Sequence, residues 1–264
     1  MIHRMFGLLA AAKQSMGCYN LSCNQNAFIQ AATDSEICVK ISVIIPTYNE
    51  QTKIKAAIQS VQDAGADHIV VVDGGSTDDT LKIAASLGIT TLQSDPGRAI
   101  QQNAGAASCQ TDALLFLHAD CRLHPDSIQQ IRHTLQQNNN CVGGCFQQAI
   151  CDSRFRYRIM ERGNYWRVKV LKWVYGDQGL FVRKEVFEDL KGFPEINFLE
   201  DLFFTKSLKR QGRIVVLQAP LQVSARRWQK TGMLTQTARN WMIIVAAHLG
   251  ASPRWLAKFY PSAR

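Results

Sequence analysis

The chain has 264 residues, of which 46% are hydrophobic and 19% charged, with a net charge of +9; this ordinary globular composition excludes disorder or coiled coil as the main architecture and allows one large domain or two small ones. The longest apolar run, Trp241 to Ala247, falls far short of the ~20 residues that a membrane-spanning helix needs. Residues 202–264 hold 11 Lys and Arg and no acid, so the positive excess is a C-terminal feature that fits an anionic membrane surface or a phosphate-bearing substrate at least as well as nucleic acid, or simply a solvated basic face.

Residues 1–40 show no sustained period, and Gln14 to Gln30 is rich in Asn, Gln, Ser and Cys, so 1–40 reads as a poorly ordered extension. Arg4 followed by the apolar stretch Met5 to Ala12 only weakly imitates an export signal. From Ile41 the pattern changes. Ile41 to Ile45 and Ile69 to Val72 are β-branched runs that read as buried strands, and between them Ile54, Ala57, Ile58 and Val61 recur at helical spacing. Alternation continues with a helix near Thr77 to Leu87, a strand at Ile89 to Leu92, a helix near Arg98 to Ser108, the strand Ala113 to Leu117, and a helix from Pro125 to about Gln137. Such repeated units predict parallel strands with right-handed crossovers in an α/β sheet covered on both faces. Beyond Val142 the order is less regular: a strand to Gln147, a basic helical stretch from about Arg154 to Lys172, a strand near Gly179 to Val182, and a helix after Glu200.

Eight cysteines are present without a Cys-x-x-Cys pair, and His118-x-x-Cys121-x-x-His124 has no second matching pair, so thiolate metal binding is not expected. Cys109, Cys121 and Cys145 lie in or beside apolar segments and read as buried reduced thiols.

Ligands of open parallel sheets bind outside the carboxyl ends of the strands. Three strand ends carry polar groups here: Thr47, Tyr48, Asn49 and Glu50; then Asp73; then His118 and Asp120. Carboxylates facing one cleft without a matching cation predict either a divalent metal ion or a hydroxyl-rich ligand. In Asp73-Gly-Gly-Ser-Thr-Asp-Asp79 the glycines allow close backbone approach, and Ser76 with Asp79 has capping-box spacing; a plain strand-to-helix turn is the alternative for Ser76, Asp78 and Asp79.

Val43-Ile-Ile-Pro-Thr-Tyr-Asn-Glu50, Val71-Val-Asp-Gly-Gly-Ser-Thr-Asp-Asp-Thr80, Leu117-His-Ala-Asp120, Glu200-Asp201 and Arg226-Arg-Trp228, in that order, resemble a family 2 glycosyltransferase of the GT-A fold over roughly Lys40 to Gln229. Tyr175-Gly-Asp-Gln-Gly179 and Ser224-Ala-Arg-Arg-Trp228 resemble a small bacterial subgroup whose acceptors are poorly defined. The resemblance implies a GT-A type, mainly parallel sheet flanked by helices on both faces, as one domain over 41–230; the helical spacing and basic residues beyond it read as a basic helical tail over 231–264.

The resemblance also implies roles. Thr47 and Asp73 match positions that hold the donor's nucleoside, Asp73 typically through the base, and Pro46, Tyr48, Glu50 and Gly74 beside them are expected among the donor-binding residues. Asp120 matches the last carboxylate of an Asp-x-Asp motif that binds Mg²⁺ or Mn²⁺ on the diphosphate; the first Asp is replaced by His118, which reads either as a substitute contact or as a buried histidine. Glu200-Asp201 matches the acidic pair in which the second carboxylate is the general base and the first orients acceptor or base, with a helix N-terminal carboxylate as the structural alternative for Asp201. Asp177 and Gln178 line the acceptor side on resemblance alone, and Arg226, Arg227 and Trp228 fall near the diphosphate and acceptor. Apart from the resemblance, Gly97 and Arg98 open a predicted helix where backbone N–H groups and the Arg98 side chain could meet phosphate.

What is expected, then, is an inverting, metal-dependent hexosyltransferase-like enzyme. It would move a sugar from a nucleoside diphosphate sugar, UDP being the commonest donor nucleotide in families of this kind, to a lipid or saccharide acceptor of the cell envelope, with no nucleic-acid partner. The expected place is cytoplasmic, at the inner face of the membrane if the tail, with Trp241, Ile244 and Val245 at helical spacing, makes a peripheral contact rather than packing back on the domain. A non-catalytic sugar-nucleotide sensor or scaffold is the alternative. A nucleotidyltransferase would need a basic Gly-rich loop after the first strand and a dinucleotide-binding oxidoreductase Gly-x-Gly-x-x-Gly there, and neither is present.

Overall fold

The two β-branched runs form strands β1 (Ile41–Thr47) and β2 (His68–Asp73), buried along nearly their whole length because helices cover both faces of the sheet. The computed structural model describes residues 38–196 and 198–225, with positions 239, 242, 243, 246, 251, 255 and 256. The chain divides into two compact units, Met1–Cys38 and Val39–Arg264. The extension read over 1–40 lies, up to residue 37, outside the described residues.

Along the second unit come α1 (Ile54–Asp63), α2 (Thr80–Ser86), β3 (Thr90–Gln93), α3 (Arg98–Ala107), β4 (Ala113–Phe116), β5 (Cys121–Arg122), α4 (Ser127–Gln137), β6 (Cys141–Ile150) and α5 (Phe155–Leu171). A 3₁₀ turn (Gly176–Gln178), β7 (Leu180–Arg183), α6 (Lys184–Asp189), α7 (Glu200–Gln211) and β8 (Arg213–Val223) follow. The eight strands lie in the order β3-β2-β1-β4-β7-β6-β8-β5. β1 to β4 are parallel as the βα repetition predicts, but β7 runs antiparallel to both β4 and β6, and β5 antiparallel to β8. The strict alternation that enforces parallel pairing ends with α4; afterwards α5 and the 3₁₀ turn bring the chain back at the sheet end where β6 left it.

Side chains alternate across β1. Ile41, Val43 and Ile45 join Ile54, Ile58, Ile128 and Ile131 under α1 and α4, while Ile44 joins Ala99, Ala106, Phe187, Phe204 and Leu208 under α3, α6 and α7. Gly105 is the contact point of α3 with the sheet: a Cβ there would stand 2.5 Å from Ile44 Cγ2 and 2.9 Å from Val72 Cγ2. Cys109, Cys121 and Cys145 are buried as expected, and burial pushes the Cys145 thiol up to about 12. Two helix starts shift from the sequence reading, α2 to Thr80 and α4 to Ser127, where Pro125 stands in the preceding turn rather than the first helical turn.

Candidate functional site at the carboxyl ends of the strands

The register sets Thr47 directly beside Asp73. The Leu117 N–H donates to Ile44 O at 3.0 Å, so the next position on β1 facing β4 is Pro46, which has no N–H to give; pairing stops there and the chain after β4 is released into the turn that carries His118 and Asp120. Asp73 is fully buried, and its carboxylate accepts from the N–H groups of Gly75 (3.0 Å) and Ser76 (2.8 Å) and from the Ser76 hydroxyl (2.5 Å). Gly75, at φ 93°, supplies the left-handed residue of this turn. The Thr47 hydroxyl donates to the same carboxylate at 3.3 Å.

Gln101 was not singled out by sequence reasoning. From the buried face of α3 its side-chain amide donates to both Thr47 O and Val72 O at 2.8 Å, tying together the ends of β1 and β2, and Gly74 packs over it. Two adjacent amides, Gln101 and Gln102, among the small residues of a buried helix face were the available signal.

The loops after β1 and β2 are joined by backbone-to-side-chain bonds. The Asn49 N–H donates to Ser76 Oγ (2.8 Å), Thr77 N–H to Asn49 Oδ1 (2.9 Å), Glu50 N–H to Thr80 Oγ1 (2.9 Å) and Gln51 N–H to Asp78 Oδ2 (3.2 Å). The turn reading therefore holds for Ser76 and Asp78. The Ser76–Asp79 capping box does not form, because the Ser76 hydroxyl is taken by Asp73 and Asp79 makes no capping bond; Asp78 accepts from the Thr80 N–H instead (3.0 Å). Tyr48 stays exposed, and Glu50 is half-buried against Lys53 at 3.2 Å.

A second group forms one strand further along. The His118 ring packs on the backbone of Gly176, where an added Cβ would stand 2.6 Å from Nε2 and 3.4 Å from Asp201 Oδ2. His118, Gly176 and Asp201 therefore converge, and a side chain at position 176 would force the His118 ring to move. The Asp201 carboxylate accepts from Gly176 N–H (2.5 Å) and Leu202 N–H (2.7 Å) in the first turn of α7. Burial and the neighbouring Glu200 carboxylate push Asp201 up to about 6, against the pull of Arg98 and the two N–H donors.

Glu200 is buried and pairs with Arg98 Nε at 2.9 Å. Arg98 opens α3 as read from the sequence, but its guanidinium is turned to this carboxylate. Leu199, at φ 64°, holds the left-handed conformation immediately before the acidic pair. The chain reaches it through Phe193, whose backbone makes two bonds of 2.9 Å with the Asn103 amide and whose ring lies in a cluster with Phe116, Phe187 and Phe204.

Asp120 lines a cavity of about 320 Å³ together with Lys53, Arg122 and Ser224, without Asp73, His118 or Asp201. Among the described residues no three His, Cys, Asp or Glu side chains converge as a metal cage. Gln178 is buried, its Oε1 accepting from Arg167 Nη2 (2.7 Å) and Tyr175 N–H (3.2 Å), so it braces its own turn rather than facing solvent. Arg167, on α5, also stacks over the Tyr175 ring at 3.8 Å and was missed by the sequence reading, being one of many Arg in that stretch. Asp177 Oδ1, the Tyr175 hydroxyl and Arg167 Nε are buried without a hydrogen-bond partner among the described residues.

Arg226, Arg227 and Trp228 lie outside the described residues, although the chain runs into them from Ser224 on the cleft wall. Trp241, Ile244 and Val245 of the tail also lie outside them. Of the tail's described positions, Ile243 and Leu256 are buried against Phe198, while Met242 and Trp255 are exposed.

The sequence model described as "Glycosyl transferase family 2" matches residues 42–190. An uncharacterized glycosyltransferase of Rickettsia typhi is 35% identical over 126 residues, 47% of this chain and 40% of the relative, so the match spans less than half of that protein. Among solved structures, Staphylococcus aureus TarS residues 1–349 in complex with UDP superimposes with a TM-score of 0.60 at 20% identity, over 70% of this chain and 60% of that one. Glucosyl-3-phosphoglycerate synthase of Mycobacterium tuberculosis, in complex with Mn²⁺, UDP and phosphoglyceric acid, gives 0.57 at 18% identity over 84% and 81%. At these identities the likeness is one of fold, and it bears out the GT-A type sheet expected from the sequence.

Proposed function

The chain belongs to glycosyl transferase family 2, and from that premise we propose that it transfers a sugar from a nucleoside diphosphate donor to an acceptor hydroxyl, inverting the anomeric carbon. The observation that carries this reading is Asp201, a carboxylate raised to about 6 and held by Gly176 N–H beside His118. Such a group is ionised at neutral pH yet basic enough to take a proton. As the acceptor oxygen attacks, its proton passes to Asp201 and the sugar–phosphate bond breaks on the opposite face. Glu200, clamped by Arg98, keeps the first turn of α7 in place and holds negative charge near the base.

Thr47, Asp73 and Gly74 form the donor nucleoside end, braced by Gln101, with Pro46, Tyr48 and Glu50 alongside. UDP is the nucleotide we favour, in keeping with its presence in the TarS and synthase structures. Asp120 would be the carboxylate that holds Mg²⁺ or Mn²⁺, since these hard cations need only one or two protein carboxylates when substrate phosphates are present and no three-ligand cage forms among the described residues. When bound, the cation supplies positive charge against the leaving diphosphate. The acceptor end is the Tyr175–Gln178 turn, where Asp177 Oδ1 and the Tyr175 hydroxyl are buried without a hydrogen-bond partner among the described residues. The acceptor we favour is a lipid-linked or saccharide hydroxyl.

The test is thermal stabilisation by UDP, GDP, CDP and dTDP, each with and without Mn²⁺, on the wild type and Asp120→Ala, followed by donor hydrolysis or transfer assays on Asp201→Asn. A nucleotide at about 100 times its dissociation constant adds roughly 2.7 kcal/mol. We expect a Mn²⁺-dependent shift for one nucleotide, lost in Asp120→Ala, and turnover lost in Asp201→Asn. A nucleotide-dependent shift without any turnover by the wild type would favour the sensor or scaffold reading, and unchanged turnover in Asp201→Asn would show that another group is the base.

A further inference from the structure

Helix α5 is apolar on two opposite faces. Tyr157 and Val168 are buried on the inner side, and Met160 packs against the core there. On the outer side Phe155, Ile159, Trp166 and Val170 are 77%, 60%, 51% and 66% exposed. Their separations of four, seven and four residues place them in one stripe along the helix axis. A scatter of surface apolar side chains needs no explanation, whereas four large ones in line do.

The charges around the stripe are of one sign. Arg162 and Lys169 border it on one side and Arg156 on the other; all three are exposed and make no ion pair with the described residues. The Lys169 ammonium lies 5.0 Å from the Trp166 ring, a cation beside an aromatic group at the edge of the apolar band. The helix's one carboxylate, Glu161, is turned inward: it pairs with Arg158 at 2.9 Å and accepts from Ile150 N–H at 2.6 Å. The outer face thus offers an apolar stripe, a tryptophan and unpaired cations, with no acid.

We propose that this face of α5 docks the protein on an anionic lipid bilayer, with Phe155, Ile159, Trp166 and Val170 entering the headgroup region and Arg156, Arg162 and Lys169 meeting lipid phosphates. Charge complementarity selects this occupant. A second copy meeting through the same face would set these three cations against their own equivalents without a carboxylate. The segment 202–264 carries 11 basic residues and no acid, and is no better matched. The surface has a consequence for the site. On the inner side of the same helix Asn164 and Arg167 bond to Gln148 and Gln178, the latter in the turn whose Gly176 N–H holds Asp201, so a docked α5 puts the acceptor end of the cleft one helix away from the bilayer.

The test is cosedimentation of the full chain with vesicles of phosphatidylcholine alone and of phosphatidylcholine with phosphatidylglycerol. It contains neither donor nor acceptor, so its failure is separate from failure of the transferase reading. We expect salt-sensitive binding to the anionic vesicles, weakened roughly tenfold or more by Phe155→Asn with Val170→Asn and again by Arg162→Glu with Lys169→Glu. Both pairs are exposed, and unchanged melting curves confirm that the variants fold. Absence of wild-type binding overturns the proposal. So does equal binding by both variant pairs, which would move the contact elsewhere, or a dimer in gel filtration that Phe155→Asn with Val170→Asn turns into a monomer.

Discussion

Asp201 stands between opposing influences that can be changed one at a time. Its carboxyl is raised by burial and by Glu200 and lowered by Arg98. As a base it works ionised, so transfer should rise with pH through an acidic limb near 6 in kcat/KM. Glu200→Gln removes the neighbouring negative charge and should move that limb to lower pH; Arg98→Gln removes the positive one and should move it up. Limbs that stay put in both variants would show that another group titrates. The same shift acts on stability with a definite sign. A carboxyl raised above its ordinary 3.8 binds its proton more tightly when folded, so its contribution is full below the unfolded value and is lost as pH rises through about 6. Asp201→Asn should then melt no lower than wild type at neutral pH while transfer falls about 10²- to 10⁴-fold. Asp201 was singled out in the sequence through the family resemblance of Glu200-Asp201, since an acid at a helix start by itself reads equally as a carboxylate satisfying the helix dipole. The partners that set its basicity were not legible, since Arg98 and Gly176 are distant in the chain and meet it only through the fold.

At the scale of elements, the donor end depends on α3 as much as on the strands. Gly105 lets that helix sit against Ile44 and Val72, and the closeness brings the Gln101 amide within reach of the two carbonyls it bridges. Gln101→Leu keeps the volume but leaves Thr47 O and Val72 O with fewer donors. Thr47 O retains the Gly74 N–H at 3.0 Å, so the loss should be about 1–2 kcal/mol rather than that of a fully orphaned carbonyl. Urea denaturation measures it, and a nucleotide titration should show weaker binding through the loosened Thr47–Asp73 pair; unchanged affinity would separate this brace from the site. The first strands, their helices and their parallel order follow from runs and periods short enough to read directly. β8 was missed because it contains Pro220, a residue that argues against a strand although here it takes an exposed place in an unbroken buried–exposed alternation from Leu217 to Val223, and β5 is only two residues long. The antiparallel direction of β7 depends on where a long connection returns to the sheet, and no local pattern encodes that.

Across the whole molecule, residues far along the chain bear on the acidic pair. Phe198 is buried together with Ile243 and Leu256, with Leu199 packed against the same cluster, so the described part of the C-terminal segment closes over the residues that lead into Glu200. Leu199 keeps a left-handed backbone without being glycine, a conformation that needs its surroundings to hold it. Leu256→Ala removes the most buried side chain of a small cluster, and the loss should be about 2 kcal/mol, the low end for a buried leucine, because few neighbours surround the gap. The functional effect should exceed what the fraction unfolded explains. With Phe198 less firmly held, the turn at Leu199 relaxes and Asp201 spends less time on Gly176 N–H, so kcat should fall while nucleotide binding at Asp73, on the far side of β1, stays as in wild type. Amide exchange over 198–202 checks the cause directly: faster exchange there with unchanged protection of β1 and β2 supports the coupling. A loss of protection spread evenly over the sheet would mean that Leu256 contributes only to global stability.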